Sequence, residues 1–270
     1  MPLARSVAQK VPPLRRVLED RDALRREVKQ LNRANAKLQR RVDSLDGDVR
    51  RLTAGSERDY GYVFVVTYGR SGSTLLQGVL NSIPGYLVRG ENAGTIESLH
   101  GNWRNIEKRL GTVRGASPTL PWYGMDQYSS EQAAASYRRH ILEVLLKPQE
   151  DTRVTGFKEI RWWKRDLVET LEFTRLVFPG ARFVLNTRNV EDVIRSKWWA
   201  AKDPEDARRQ VEDYDARLER AHRELGDATY RVHYDDYVAD HGVLEGLFDW
   251  LGEPFDRARI DEVMGTPHSF

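Results

Sequence analysis

Tyr62-Val63-Phe64-Val65-Val66-Thr67-Tyr68-Gly69-Arg70-Ser71-Gly72-Ser73-Thr74-Leu75-Leu76 decides the fold class. Six β-branched or aromatic residues over Tyr62–Thr67 make a short buried strand. A Gly/Ser turn follows, and Ser73–Asn81 then takes helical spacing until Pro84-Gly85 stops it. Working outward, further strands are predicted at Arg153–Phe157, Arg182–Asn186 and Thr229–His233. Helices are predicted at Asn92–Leu110, Glu131–Leu146, Asp166–Val177, Val190–Ala201, Pro204–Leu225 and Val243–Leu251. Strands alternating with helices predict an α/β domain, a P-loop-like parallel sheet covered by helices on both faces. Ligands of such sheets bind at the carboxyl ends of the strands.

The turn after the first strand has the geometry that binds anions. Glycine lets the backbone approach, the loop amides converge, and the helix N-terminus adds a positive dipole. A triphosphate-binding loop reads G-x-x-x-x-G-K-[ST], with lysine on the outer phosphates. Aligning Gly72 and Thr74 to that pattern puts Ser73 at the lysine position and Thr67 at the first glycine. The cation sits inside the loop instead, at Arg70. This form resembles the 5′-phosphosulfate loop of sulfotransferases that use 3′-phosphoadenosine 5′-phosphosulfate (PAPS), especially the bacterial and tyrosylprotein types.

A second stretch, Thr187-Arg188-Asn189-Val190-Glu191-Asp192-Val193-Ile194-Arg195-Ser196, resembles the 3′-phosphate motif of the same family. There an arginine at a strand end and a serine eight residues on bind the phosphate. Arg188 supplies a forked, charge-assisted donor. On a continuous helix Ser196 would return to the same face after little over two turns. The resemblance implies that Arg70, Ser71, Gly72, Ser73 and Thr74 hold the phosphosulfate and that Arg188, Ser196 and Tyr234 contact the rest of PAPS. It implies that Glu91, 21 residues after Arg70, is the general base, as in the tyrosylprotein type. It also implies that Lys158 stabilises charge beside Arg70, with no metal required. Glu159 is an alternative base. Relatives that use a histidine carry it two residues after the lysine, where this chain has Ile160. The Arg-Lys-Gly loop that closes over the 3′-phosphate in cytosolic relatives is absent, leaving His268-Ser269-Phe270, Arg89 and Arg161 as candidates. The resemblance runs from about Tyr60 to Phe270.

Residues 1–55 read differently and form a separate N-terminal helix, with 56–270 as the sulfotransferase domain. Leu24, Val28, Leu31, Asn35, Leu38, Val42, Leu45, Val49 and Leu52 alternate in steps of four and three, and Leu14 and Val17 extend the frame backward. β-Branched residues at a with leucine at d favour a two-stranded parallel coiled coil, and one buried asparagine fixes its register. A homodimer is therefore expected. Ala54-Gly55-Ser56 reads as a linker. The segment carries 14 Lys/Arg against 7 Asp/Glu, while the remainder carries 29 against 34. Mixed charge of this kind is ordinary on a solvated helix face, so no nucleic-acid partner is expected; contact with a membrane surface or another partner stays open.

The chain has no cysteine, which excludes disulfides, thiolate metal sites and cysteine nucleophiles. It lacks a secretory signal or an 18-residue apolar run, so the expected location is the cytoplasm. Seven tryptophans, paired at Trp162-Trp163 and Trp198-Trp199, suit an acceptor with a flat apolar face. The expected acceptor is a hydroxyl on a carbohydrate or glycolipid. Two other functions fit parts of the pattern: a nucleotide or small-molecule kinase, which would require ATP and Mg²⁺, and a non-catalytic coiled-coil scaffold with a degenerate nucleotide fold.

Overall fold

The computed structural model describes residues 12–54, 59–112 and 117–266, with side chains from residue 20 to 42 in the first stretch. The chain divides into two compact units, Met1–Arg58 and Asp59–Phe270. In the first, α1 (Pro12–Ala54) is one helix of 43 residues. Leu24, Val28, Leu31, Leu38 and Val42 are each more than half exposed, so the apolar stripe lacks cover. The stripe positions Leu14, Val17, Leu45, Val49 and Leu52 lie on this helix with their side chains not described; of the expected linker, Ala54 ends the helix and Gly55 and Ser56 lie outside the described residues.

The second unit is built on a five-stranded sheet: β1 (Gly61–Val66), β2 (Tyr86–Arg89), β3 (Val154–Glu159), β4 (Arg182–Thr187) and β5 (Thr229–His233). The spatial order is β2-β3-β1-β4-β5, with every pairing parallel. Strand β1 is central, and its residues Tyr62–Val66 are all buried, as expected of a parallel strand covered on both faces. Tyr62, Phe64 and Val66 enter one core and Val63 and Val65 the other, the two-residue alternation of a pleated strand. Gly156 of β3 lies so close to β1 that a Cβ would meet the Val63 carbonyl oxygen at 1.7 Å. Only glycine fits there.

Between the strands run α2 (Ser73–Asn81), α3 (Thr95–Leu110), α4 (Ser130–Ile141), α5 (Leu167–Val177), α6 (Val190–Ile194) and α7 (Pro204–Leu225), and after β5 come α8 (Tyr234–Ala239), α9 (Glu245–Leu251) and α10 (Arg257–Met264). Five of them, α4–α7 and α10, start on a side-chain cap. Asp166 accepts from the Glu169 amide, and Asp203, with Pro204 behind it, accepts from Glu205 and Asp206. One predicted helix is broken. The expected Val190–Ala201 stretch ends at Ile194, Ser196 is extended, and Lys197–Trp199 forms a separate 3₁₀ turn. The break lets Trp199 become fully buried and donate to the Gly69 carbonyl at 2.9 Å. Strand β2 is not foreshadowed by the predicted elements, being four residues long. None of the described helices is long and apolar enough to cross a membrane.

Candidate active site

The carboxyl ends of the strands converge on a cleft of about 490 Å³. The chain departs from β1 toward β2 and β3 on one side and reaches β4 and β5 on the other. Such a switch point opens a crevice beside β1. Arg70, Gly72, Ser73, Thr74, Glu91, Lys158, Arg188 and Tyr234 all line it, so the structure brings most of the sequence-predicted site residues together. Ser71 lies behind them, fully buried.

The loop after β1 is braced from within. Thr67 Oγ1 reaches Ser71 Oγ at 2.6 Å and donates to the Asn186 carbonyl at 2.7 Å. Asn186 Nδ2 donates to the Ser71 carbonyl at 2.8 Å, and Tyr237 donates to Asn186 Oδ1 at 3.2 Å. Thr67, Ser71, Asn186 and Tyr237 are all fully buried, so these bonds form where water does not compete. The sequence pattern does not single out Asn186, Thr67 or Tyr237. A polar residue inside an apolar strand is the one signal that could have marked Asn186. Gly72 caps α2 at φ 76°, a left-handed conformation that glycine adopts at no steric cost. Among the described residues the amides of Gly72, Ser73 and Thr74 donate to no acceptor, leaving a free positive helix end facing the cleft.

Arg70 is also left-handed, at φ 72°, without glycine's freedom. That conformation turns its side chain across the cleft, where Nε donates to Ser196 Oγ at 2.9 Å. Arg188 Nη1 donates to the Arg70 carbonyl at 3.1 Å. Its guanidinium lies 4.4 Å above the Tyr234 ring, a cation–π contact that fixes the plane of the fork. The Arg188 amide donates to the Tyr68 hydroxyl at 3.1 Å. The predicted pair, Arg188 and Ser196, is thus joined through Arg70, and Ser196 reaches it from beyond the end of α6. Lys197, again at a positive φ of 43°, lines the same cleft and makes no salt bridge among the described residues.

At the opposite end Lys158 Nζ and Glu91 Oε1 form a salt bridge of 2.7 Å. Lys158 is 5% exposed at the end of β3, whereas the Glu91 side chain is 37% exposed after β2. The ammonium is therefore fixed and the carboxylate remains open to the cleft. Glu159 behaves differently. It is 2% exposed, and its two oxygens accept from the amides of Asn92, Gly94, Ile160 and Arg161. Four backbone donors occupy the carboxylate as a tie between two loops.

Of the candidates for closing the cleft, Arg89 donates to the carbonyls of Leu146 and Lys147 instead. Arg161 lines a neighbouring cavity, and residues 268–270 lie outside those described. Among the described residues no cluster of His, Asp or Glu is placed to hold a metal ion.

Beyond the cleft, burial pushes the Asp215 carboxyl up to about 6, against a smaller opposing effect from the neighbouring Tyr68 hydroxyl. Burial also raises Tyr68, whose phenol stays neutral.

A likeness to solved structures agrees with this architecture. A structure described as a sulfotransferase domain from the curacin biosynthetic pathway superposes with a TM-score of 0.51 at 15% identity, covering 78% of this chain and 80% of that one. Sulfotransferase STF9 from Mycobacterium avium gives 0.43 at 14% identity, covering 83% and 71%, too distant to carry weight. No curated protein matches the chain. The profile described as Sulfotransferase family matches residues 63–257, from the middle of β1 to the start of α10. That match takes in most of the chain and every residue of the cleft named above, and the chain belongs to the sulfotransferase family.

Proposed function

We propose that the protein transfers a sulfuryl group from PAPS to a hydroxyl of an acceptor, with a carbohydrate or glycolipid as the acceptor class. The observation that carries this reading is the arrangement of two anion-binding features on one cleft. One is the free helix end at Gly72–Thr74; the other is the Arg70–Ser196–Arg188 cluster. A kinase would need a lysine within the loop for its triphosphate, and Ser73 stands there.

In this reading the loop amides of Gly72, Ser73 and Thr74 hold the phosphosulfate end. Arg188, Ser196 and the unpaired Lys197 hold the 3′-phosphate, with Lys197 supplying charge that a closing basic loop gives elsewhere. Tyr234, pressed against Gly72, supports the nucleoside. PAPS supplies the sulfuryl group and a good leaving group. As the acceptor oxygen bonds to sulfur, the bond from sulfur to the 5′-phosphate oxygen breaks, and the acceptor proton passes to Glu91. Lys158 and Arg70 then stabilise the charge gathering on the transferring and leaving oxygens. Glu91 fits the role of base better than Glu159, since its carboxylate is open and that of Glu159 is bound by four amides.

The exposed stripe of α1 supports a parallel coiled-coil homodimer, because five uncovered apolar side chains at heptad spacing need a partner surface. The whole assignment is tested by titrating the protein with adenosine 3′,5′-bisphosphate and with 5′-AMP. Preference for the bisphosphate supports it; equal affinity removes it.

A further inference from the structure

A second cavity of about 480 Å³ adjoins the first. The two share Gly69, Ile160 and Trp198 as a common wall, so a molecule seated in the second borders the cleft that Glu91 and Lys158 line. Its surface is dominated by aromatic rings. Trp163 stacks on Tyr214 at 4.1 Å between centroids, and Trp198 on Trp199 at 4.4 Å. Trp198 is held flat against Gly69, where a Cβ would come within 2.7 Å of its ring, yet it remains 48% exposed. An exposed indole fixed from behind is a platform for a flat ligand face.

The rim of this cavity is cationic. Arg161 and Lys164 are exposed there, and neither makes a salt bridge among the described residues. Lys202 Nζ sits 4.2 Å from the Trp199 ring centre and 5.1 Å from that of Trp198, adding a third positive group beside the opening. The one acid in the lining, Glu97, is 1% exposed and accepts from the Lys164 amide at 2.7 Å. Its charge reaches Lys164, but Arg161, Lys164 and Lys202 outnumber it and the rim stays net positive. Elsewhere on this unit exposed arginines are mostly paired with carboxylates, such as Arg208 with Glu191 and Arg217 with Asp213. Two unpaired cations at an aromatic opening select for an anion that carries a ring.

We infer that this cavity is the acceptor site and that the acceptor is an anionic ring-bearing alcohol: its ring lies on Trp198, its acid group pairs with Arg161 and Lys164, and its hydroxyl reaches Glu91. The inference rests on the sulfotransferase reading and narrows its acceptor class. A neutral sugar or phenol would use the aromatic wall and leave both cations unanswered. A cationic acceptor would be repelled at the rim.

The test uses two probes of like shape and the same hydroxyls that differ in charge, p-nitrophenyl β-D-glucuronide and the corresponding uncharged glucuronamide, with PAPS as donor and release of adenosine 3′,5′-bisphosphate as readout. The glucuronide is expected to give the higher kcat/KM by about five- to tenfold, the scale of two partly exposed ion pairs. Arg161→Ala with Lys164→Ala should collapse that ratio toward one, and Arg161→Glu with Lys164→Glu should invert it. All variants must bind adenosine 3′,5′-bisphosphate like the parent, which shows that they are folded. A ratio near one in the parent protein, or turnover of neither probe while the bisphosphate binds, overturns the assignment. Failure of the parent to bind the bisphosphate instead overturns the donor reading beneath it.

Discussion

Arg70 Nε and Ser196 Oγ meet at 2.9 Å across 126 residues of chain, joining the loop after β1 to the segment that follows α6. In the proposed donor site Ser196 would therefore act through Arg70 as well as directly. Removing its hydroxyl frees a left-handed arginine to swing out of the cleft. Ser196→Ala is expected to weaken adenosine 3′,5′-bisphosphate binding by roughly tenfold, the scale of one hydrogen bond to a charged group. Arg188→Ala should cost more, about 10- to 100-fold, since a guanidinium and its cation–π support go together. Isothermal titration against 5′-AMP separates the two effects: both variants should lose the preference for the 3′-phosphate more than affinity for the monophosphate.

Glu91 carries the proton in the proposed transfer. Glu91→Gln keeps the shape and a hydrogen bond near Lys158 but cannot accept a proton. Turnover is expected to fall by about 10²- to 10⁴-fold with donor affinity nearly unchanged. Measuring kcat beside donor Kd checks this, and unchanged kcat would place the base elsewhere.

Gly72 tests the rigidity of the loop. An added Cβ would lie 1.9 Å from the Tyr234 ring in a backbone conformation that already disfavours side chains. Gly72→Ala should lose about 1–2 kcal/mol from the backbone alone, with a further loss from displacing the ring. Tyr234→Ala in the same protein should recover the steric part only. Chemical denaturation of the single and double variants measures the difference.

Asp215 gives a pH signature. Its folded value of about 6 lies above the ordinary 3.8 because burial disfavours the charge. The folded state thus holds the proton more tightly, and the associated stability is present below about pH 4 and lost as pH rises through about 6. Asp215→Asn should raise the melting temperature above pH 6 and converge with the parent near pH 4. A pH-independent difference between the two melting curves would contradict this.

Deleting residues 1–55 should take the particle seen by light scattering from two chains to one if α1 pairs with a second copy. An unchanged number of chains per particle with and without the helix would remove the coiled-coil proposal.

Much of the site is legible in the sequence because anion binding needs particular residues next to strand ends. Arg70, Arg188 and Lys158 stand at the ends of apolar runs that any parallel sheet must bury, so the strand pattern alone carries them to a common edge. The helix drawn through Val190–Ala201 fails for a related reason. Local propensity favours continuing it, but burying Trp199 against the Gly69 carbonyl outweighs a few helical hydrogen bonds. The part played by Asn186 is hidden because its three hydrogen bonds reach residues far away in sequence. Lys197 is hidden likewise, since a lysine in a turn looks like any solvated residue until its backbone turns it into the cleft.

The strand order also acts as a gauge of length. Glu91 follows β2, Lys158 ends β3, Arg70 follows β1, Arg188 follows β4 and Tyr234 follows β5, so the working groups succeed one another along the sheet edge. At about 4.8 Å per strand the backbone positions that carry them span about 19 Å. A ligand laid along it is measured as well as held. One whose two anions are too close together engages a single pocket, however well its charges match.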